Sequence, residues 1–157
     1  MESRVNKAAE RHKKGYNCAQ AVACAYCDLA GIDEETMFKV TEAMGLGMGG
    51  MNGTCGAVTG ACAIAGMRSS CGDLDKPVSK GATYKVSKEI SGRFLEETGS
   101  LTCRDIKGVD TGKVLKSCHD CVKDAARILE EVCFKELYLD WEITRLRLII
   151  YTICFKE

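Results

Sequence analysis

The chain has little proline, tryptophan or histidine: one, one and two residues respectively in 157. Neither sign of charge is in excess, with 22 basic residues against 22 acidic ones. That balance leaves no electrostatic footprint for nucleic acid or an anionic membrane surface. No apolar run approaches the roughly 18 residues that suggest a membrane-spanning helix. The N-terminal MESRVNKAAERHKKGYN is charged and lacks the apolar centre of a secretion signal. No H-E-x-x-H, no P-loop and no Ser-His-Asp pattern is present. There is no pair of strand-like runs joined by a turn signal, no internal repeat and no linker. The expectation is one all-α domain over residues 1–157, a bundle of about five to seven helices with a glycine-rich loop.

Cysteine is abundant instead, with 11 residues. The count is odd, so complete internal pairing is excluded, and the density is below that of a short secreted disulfide scaffold. A chain of this length, 46% hydrophobic, buries enough surface to fold without staples. We therefore expect a cytoplasmic protein with free thiols, in which clustered cysteines serve metals or redox chemistry.

Helical spacing recurs along the chain. Residues 2–14 form a weak amphipathic helix. Asn17 caps CAQAVACAYCDLAG, Asp33 caps EETMFKVTEAM, and Ser117 caps CHDCVKDAARILEEVCFKEL. Residues 55–67 suit a buried helix of small side chains, and 79–98 a longer amphipathic one. LTCRDIKGVDTGK reads as a loop or short turn. The tail from about residue 138 mixes β-branched residues with helical spacing, and its state stays open.

The stretch from Gly45 to Gly66, GLGMGGMNGTCGAVTGACAIAG, carries no charged residue. Gly45, Gly47 and Gly50 nominally fit G-x-G-x-x-G, but a helix rather than a strand precedes them, which argues against a dinucleotide site. The reading is a flexible collar that presents Cys55 at a helix start. Cys18, Cys55, Cys103 and Cys118 share that local character, each at a helix start or in a loop. There the free N–H groups and the helix dipole favour a thiolate. Arg104 follows Cys103 and is expected to lower its pKa. Cys24, Cys27, Cys62, Cys133 and Cys154 fall inside helices and are expected to pack as small hydrophobes, while Cys71 is a loop cysteine with no assigned partner. His12 is expected on a charged surface, His119 near an exposed helix start. Cys118-x-x-Cys121 is followed by Val122 rather than histidine, so no covalent haem is expected.

The run NCAQAV, the glycine stretch with Cys55-Gly56-Ala57-Val58-Thr59-Gly60, the CR-x-I-x-G of Cys103 to Gly108 and the C-x-x-x-V-x-D-A-A of Cys118 to Ala126 resemble the C_GCAxxG_C_C family of redox-active proteins. The resemblance spans about residues 8–132 and leaves the tail unmatched. It implies a small helical protein with a redox role, similar to part of the split-Soret cytochromes, whose four recurring cysteines carry over to Cys18, Cys55, Cys103 and Cys118.

Four thiolates from separate segments suit the Cys₄ shell of an iron–sulfur cluster used for electron transfer or redox sensing. Gly49, Gly50, Gly53, Gly56 and Arg104 would surround it. One alternative is thiol–disulfide or persulfide catalysis, with Cys55 or Cys118 as the low-pKa nucleophile. Another is a structural Cys₄ zinc site. A redox partner protein of unknown identity is expected, and a homodimer is plausible through the small-residue helix or the tail.

Overall fold

The computed structural model describes residues 1–138. Within them the backbone forms eight helical segments and a 3-10 turn, and no strand beyond one isolated bridge. The segments are α1 (Val5–Lys13), α2 (Cys18–Tyr26), the 3-10 turn Cys27–Ala30, α3 (Glu34–Glu42), α4 (Gly45–Met48), α5 (Gly56–Ser69), α6 (Lys80–Thr98), α7 (Cys103–Ile106) and α8 (Cys118–Cys133). Helices α4 and α7 are single turns of four residues. The state of the tail and any dimer contact made through it concern residues outside those described. No helix among the described residues is long and apolar enough to cross a membrane.

Helix α2 is the centre. Every residue from Ala19 to Tyr26 is buried. It packs against α1, α3, α5 and α8, while α6 closes the bundle against α5 and α8. The expected cap is formed: the Asn17 side chain accepts from the amides of Ala19 and Gln20, and Gln20 answers by accepting from the Asn17 amide. This reciprocal cap satisfies N–H groups that a helix start otherwise leaves without partners. Asn17 also donates through Nδ2 to the Glu42 carbonyl, 2.8 Å away, tying the start of α2 to the end of α3.

Close approach of α2 to α5 requires glycine. A Cβ on Gly60 would lie 2.4 Å from the Ala19 carbonyl oxygen, and one on Gly56 would lie 3.2 Å from the Cys18 Cβ. The two helices therefore touch backbone to backbone at their beginnings, which brings Cys18 beside the start of α5.

The stretch 45–53 corrects the expected flexible collar. It is a tight turn in which Leu46, Met48 and Met51 hold positive φ of 52°, 61° and 62°. Left-handed backbone costs a residue with a side chain about 1–2 kcal/mol. Hydrogen bonds offset that cost: Gly49 N–H donates to Gly45, Met51 to Leu46 and Gly53 to Gly47. Beyond the turn, Cys55 N–H donates to Leu101 and Cys103 N–H to Gly53, forming a two-residue antiparallel bridge across Thr54 and Thr102. That bridge ties together the segments that carry Cys55, opposite Leu101, and Cys103, opposite Gly53.

Candidate functional site

The beginnings of α2, α5 and α8 meet at one place, and α7 joins them. Cys18 is the first residue of α2, Cys103 of α7 and Cys118 of α8, while Cys55 caps α5. Cys121 lies one turn into α8. All five cysteines line one cavity of about 130 Å³. An engineered apolar cavity of comparable size, about 150 Å³, holds benzene, so the space suits a small inorganic group or small molecule. Leu46 and Ile106 form apolar wall, and Lys107 and His12 bring positive or titratable nitrogen. Among the described residues no carboxylate lines the cavity.

The thiols act on one another. The neighbouring Cys18 thiol is the largest influence holding the Cys118 thiol down at about 5. The positive charge of Lys107 and its hydrogen bond to the same sulfur act in the same direction, as does the nearby His12. The same contact pushes the Cys18 thiol up, and burial adds to it. The neighbouring Cys121 thiol, followed by the backbone amides of Ala57 and Val58 at the start of α5, holds the Cys55 thiol below its ordinary value despite burial. Cys121 itself is pushed up, first by Cys55 and then by burial. Burial is the chief reason that Cys103 is raised.

Several residues sit elsewhere than expected. Arg104 turns from the thiols to pair with Asp110, its Nε 2.6 Å from Oδ2, so the cation at the cavity is Lys107. Of the expected glycine collar, Gly56 lines the cavity and Gly53 packs against Gly47, while Gly49 and Gly50 face open space. Gly47 is the glycine that matters locally: its φ is +58°, and a Cβ there would stand 2.6 Å from the Cys103 Cβ. His12 is half-buried, with Nε2 3.8 Å from the Cys18 sulfur and its ring centre 6.1 Å from that of His119. Burial lowers its pKa. Its place is set by the packing of α1 on α2 and α8, which the local pattern of charges around residue 12 does not reveal. Cys121 joins the four at the cavity, its spacing of three from Cys118 putting both on one helical face at the start of α8, as the pair CHDC suggests.

The remaining cysteines divide cleanly. Cys24 and Cys27 are buried at the far end of α2, and burial lifts Cys24 to about 12. Cys133, at the end of α8, is lifted to about 11 by the same cause. Cys71 lies exposed after α5 and is held at about 7, first by a hydrogen bond from Ser79. All ten described cysteines are free thiols.

The donor set is the test of what such a cavity could hold. A single zinc ion needs its sulfur ligands about 2.3 Å from one point. Among the described residues no group of three or more His, Cys, Asp or Glu side chains is arranged to hold one ion. A cluster has a wider shell, because its irons are bound by different thiolates. Five thiols around an apolar space fit that chemistry.

The family model described as "Putative redox-active protein (C_GCAxxG_C_C)" matches residues 16–132. No curated protein and no solved structure matches the chain.

Proposed function

This chain belongs to the C_GCAxxG_C_C family of redox-active proteins, and from that premise we propose that its cavity holds an iron–sulfur cluster for electron transfer or redox sensing. The observation that carries the reading is the meeting of thiols from four helix beginnings around one small apolar space. Cys18, Cys55, Cys103 and Cys118 would be the ligands. When bound, the cluster supplies one-electron chemistry.

The chain's own residues do the rest. Leu46 and Ile106 keep water from the sulfurs. The amides of Ala57 and Val58, at the start of α5, act on the Cys55 sulfur in the direction that lowers its pKa, and such surroundings tune a metal site's potential. Lys107 offsets the charge that four thiolates gather. Leu46, 45% exposed, marks the side on which a separate electron-transfer protein would approach.

Purification without oxygen, or reconstitution with iron and sulfide, should give a coloured protein with matched iron and acid-labile sulfide and visible absorption that bleaches on reduction. A colourless, iron-free chain after reconstitution contradicts the reading.

A second reading, thiol–disulfide or persulfide catalysis at Cys118 or Cys55, is favoured by one observation: Cys118 is the first residue of α8 and shares the cavity with Cys18 and Lys107. In that case iron would be absent and one thiol would react far faster than the others.

A further inference from the structure

The end of the bundle that opens onto the thiol cavity has two unlike sides. One is the uncharged turn at α4. There Leu46, which lines the cavity, and Met48, two residues on, hold positive φ of 52° and 61° and stand 45% and 61% exposed. Neither left-handed backbone nor an apolar side chain in water stabilises the isolated chain, and strain of this kind gathers at sites that meet a ligand or partner. The other side is basic. His12, in the last turn of α1, lines the cavity, and Lys13 and Lys14 follow it, both exposed. Lys107, at the end of α7, lines the cavity as well. Among the described residues these three lysines have no carboxylate partner, whereas Lys39, Arg93, Lys116 and Arg127 each have one. The acids of α7, its following loop and the first turn of α8 are turned to other groups: Asp105 accepts from Ser100, Asp110 pairs with Arg104, and Asp120 accepts from Ser117.

We propose, resting on the cluster reading above, that this end of the bundle docks an electron-transfer protein whose own surface is acidic around its redox centre. The partner's carboxylates meet Lys13, Lys14 and Lys107, and an apolar edge of the partner covers Leu46 and Met48. The charges speed the encounter and fix its orientation, because opposite potentials steer association and like charges reject wrong partners. The apolar contact supplies the dry centre of a small interface. The cavity then lies beneath that contact, with the bulk of the bundle behind it. A cationic partner meets repulsion at the same place, so the surface selects by charge.

The test titrates the full chain, reconstituted and metal-free, with two small electron carriers: an acidic two-iron ferredoxin of the plant type and a basic c-type cytochrome. Calorimetry should show binding of the ferredoxin and none of the cytochrome. Raising salt from about 50 to about 300 mM should weaken the ferredoxin complex by roughly tenfold or more, as screening of exposed charges does. Lys13→Glu combined with Lys14→Glu should weaken it by about tenfold or more. Lys80→Glu combined with Lys85→Glu, at exposed positions of α6, should leave it unchanged. Met48→Ser should weaken it about threefold or more without altering its salt dependence. Equal binding of the two carriers or salt-independent binding, both read on the unmodified chain, overturns the proposal, and so do equal losses from the two lysine pairs. Iron and sulfide measured on the same reconstituted samples judge the cluster separately. A loaded chain that ignores the ferredoxin overturns the docking surface alone, and a chain that binds it while staying iron-free overturns the cluster alone.

Discussion

The two ends of α2 and α8 carry the same residue type in opposite conditions. At their beginnings Cys18, Cys118 and Cys121 open onto a shared cavity, where N–H groups, the helix dipole, Lys107 and neighbouring thiols act on sulfur. At or just past their ends, Cys24, Cys27 and Cys133 meet packed apolar surface, and burial raises each thiol. The far end of the bundle instead spends its polar groups on structure. Tyr26 donates to buried Glu130 at 2.8 Å, the Arg4 amide donates to the same carboxylate at 2.6 Å, and Arg68 covers the Phe134 ring at 4.5 Å. Position along a helix, rather than the cysteine itself, decides which sulfurs line the cavity and which are packed away from it.

Ligand substitution should divide the two ends most strongly. Cys55→Ser or Cys118→Ser should reduce retained iron by at least about tenfold, since outer-shell changes alone cost 10–100-fold in metal affinity. Cys24→Ala or Cys133→Ala should leave iron content at the unmodified level and cost only about 1 kcal/mol in stability. Equal iron loss in both groups would erase the distinction.

Two substitutions test the scaffold behind each end. Gly60→Ala places a Cβ 2.4 Å from the Ala19 carbonyl oxygen and should cost about 1–3 kcal/mol in urea unfolding, as overpacking does, while also lowering iron retention. Glu130→Ala leaves the Arg4 amide without its acceptor and the Tyr26 hydroxyl with only the Ala126 carbonyl, 3.3 Å away. A loss of about 1–3 kcal/mol is expected, with iron content unchanged because the network lies away from the cavity.

The smallest effect belongs to Lys107. In the metal-free protein the Cys118 thiolate forms as pH rises through about 5, so its alkylation rate should be near its plateau at pH 7 and fall below pH 5. Lys107→Gln removes a positive partner, raises that midpoint and should slow alkylation at pH 6 by roughly 3- to 10-fold, within the range a nearby charge produces. A rate that keeps climbing toward pH 8.5 in the unmodified chain contradicts the assigned environment.

The sequence made the caps and the longer helices legible because these are local: Asn17, Asp33 and Ser117 each accept the expected amide bonds. The shared character of Cys18, Cys55, Cys103 and Cys118 was legible for the same reason, and the fold brings all four to one cavity. What the pattern hid depends on tertiary contact. The left-handed turn is held at Leu46, Met48 and Met51, side-chain-bearing residues in which local propensity gives no signal for positive φ. Arg104 adjoins Cys103 in sequence yet binds Asp110, whereas Lys107, one helical turn further on, reaches the thiols. His12 arrives through helix packing. In the glycine stretch, Gly56 and Gly60 let α5 approach the backbone of Met44, Gly45 and Ala19, and Gly47 leaves room for Cys103, contacts that no local pattern announces.

The most direct measurement is a thiol-protection map of iron-loaded and chelator-stripped protein, alkylated without denaturant and read residue by residue by mass spectrometry. The account predicts that Cys18, Cys55, Cys103 and Cys118 are protected when iron is bound and that Cys118 becomes alkylated once it is removed, while exposed Cys71 is alkylated in both states. Protection that does not change with iron, or that changes at Cys24, Cys62 or Cys133 instead, would contradict it.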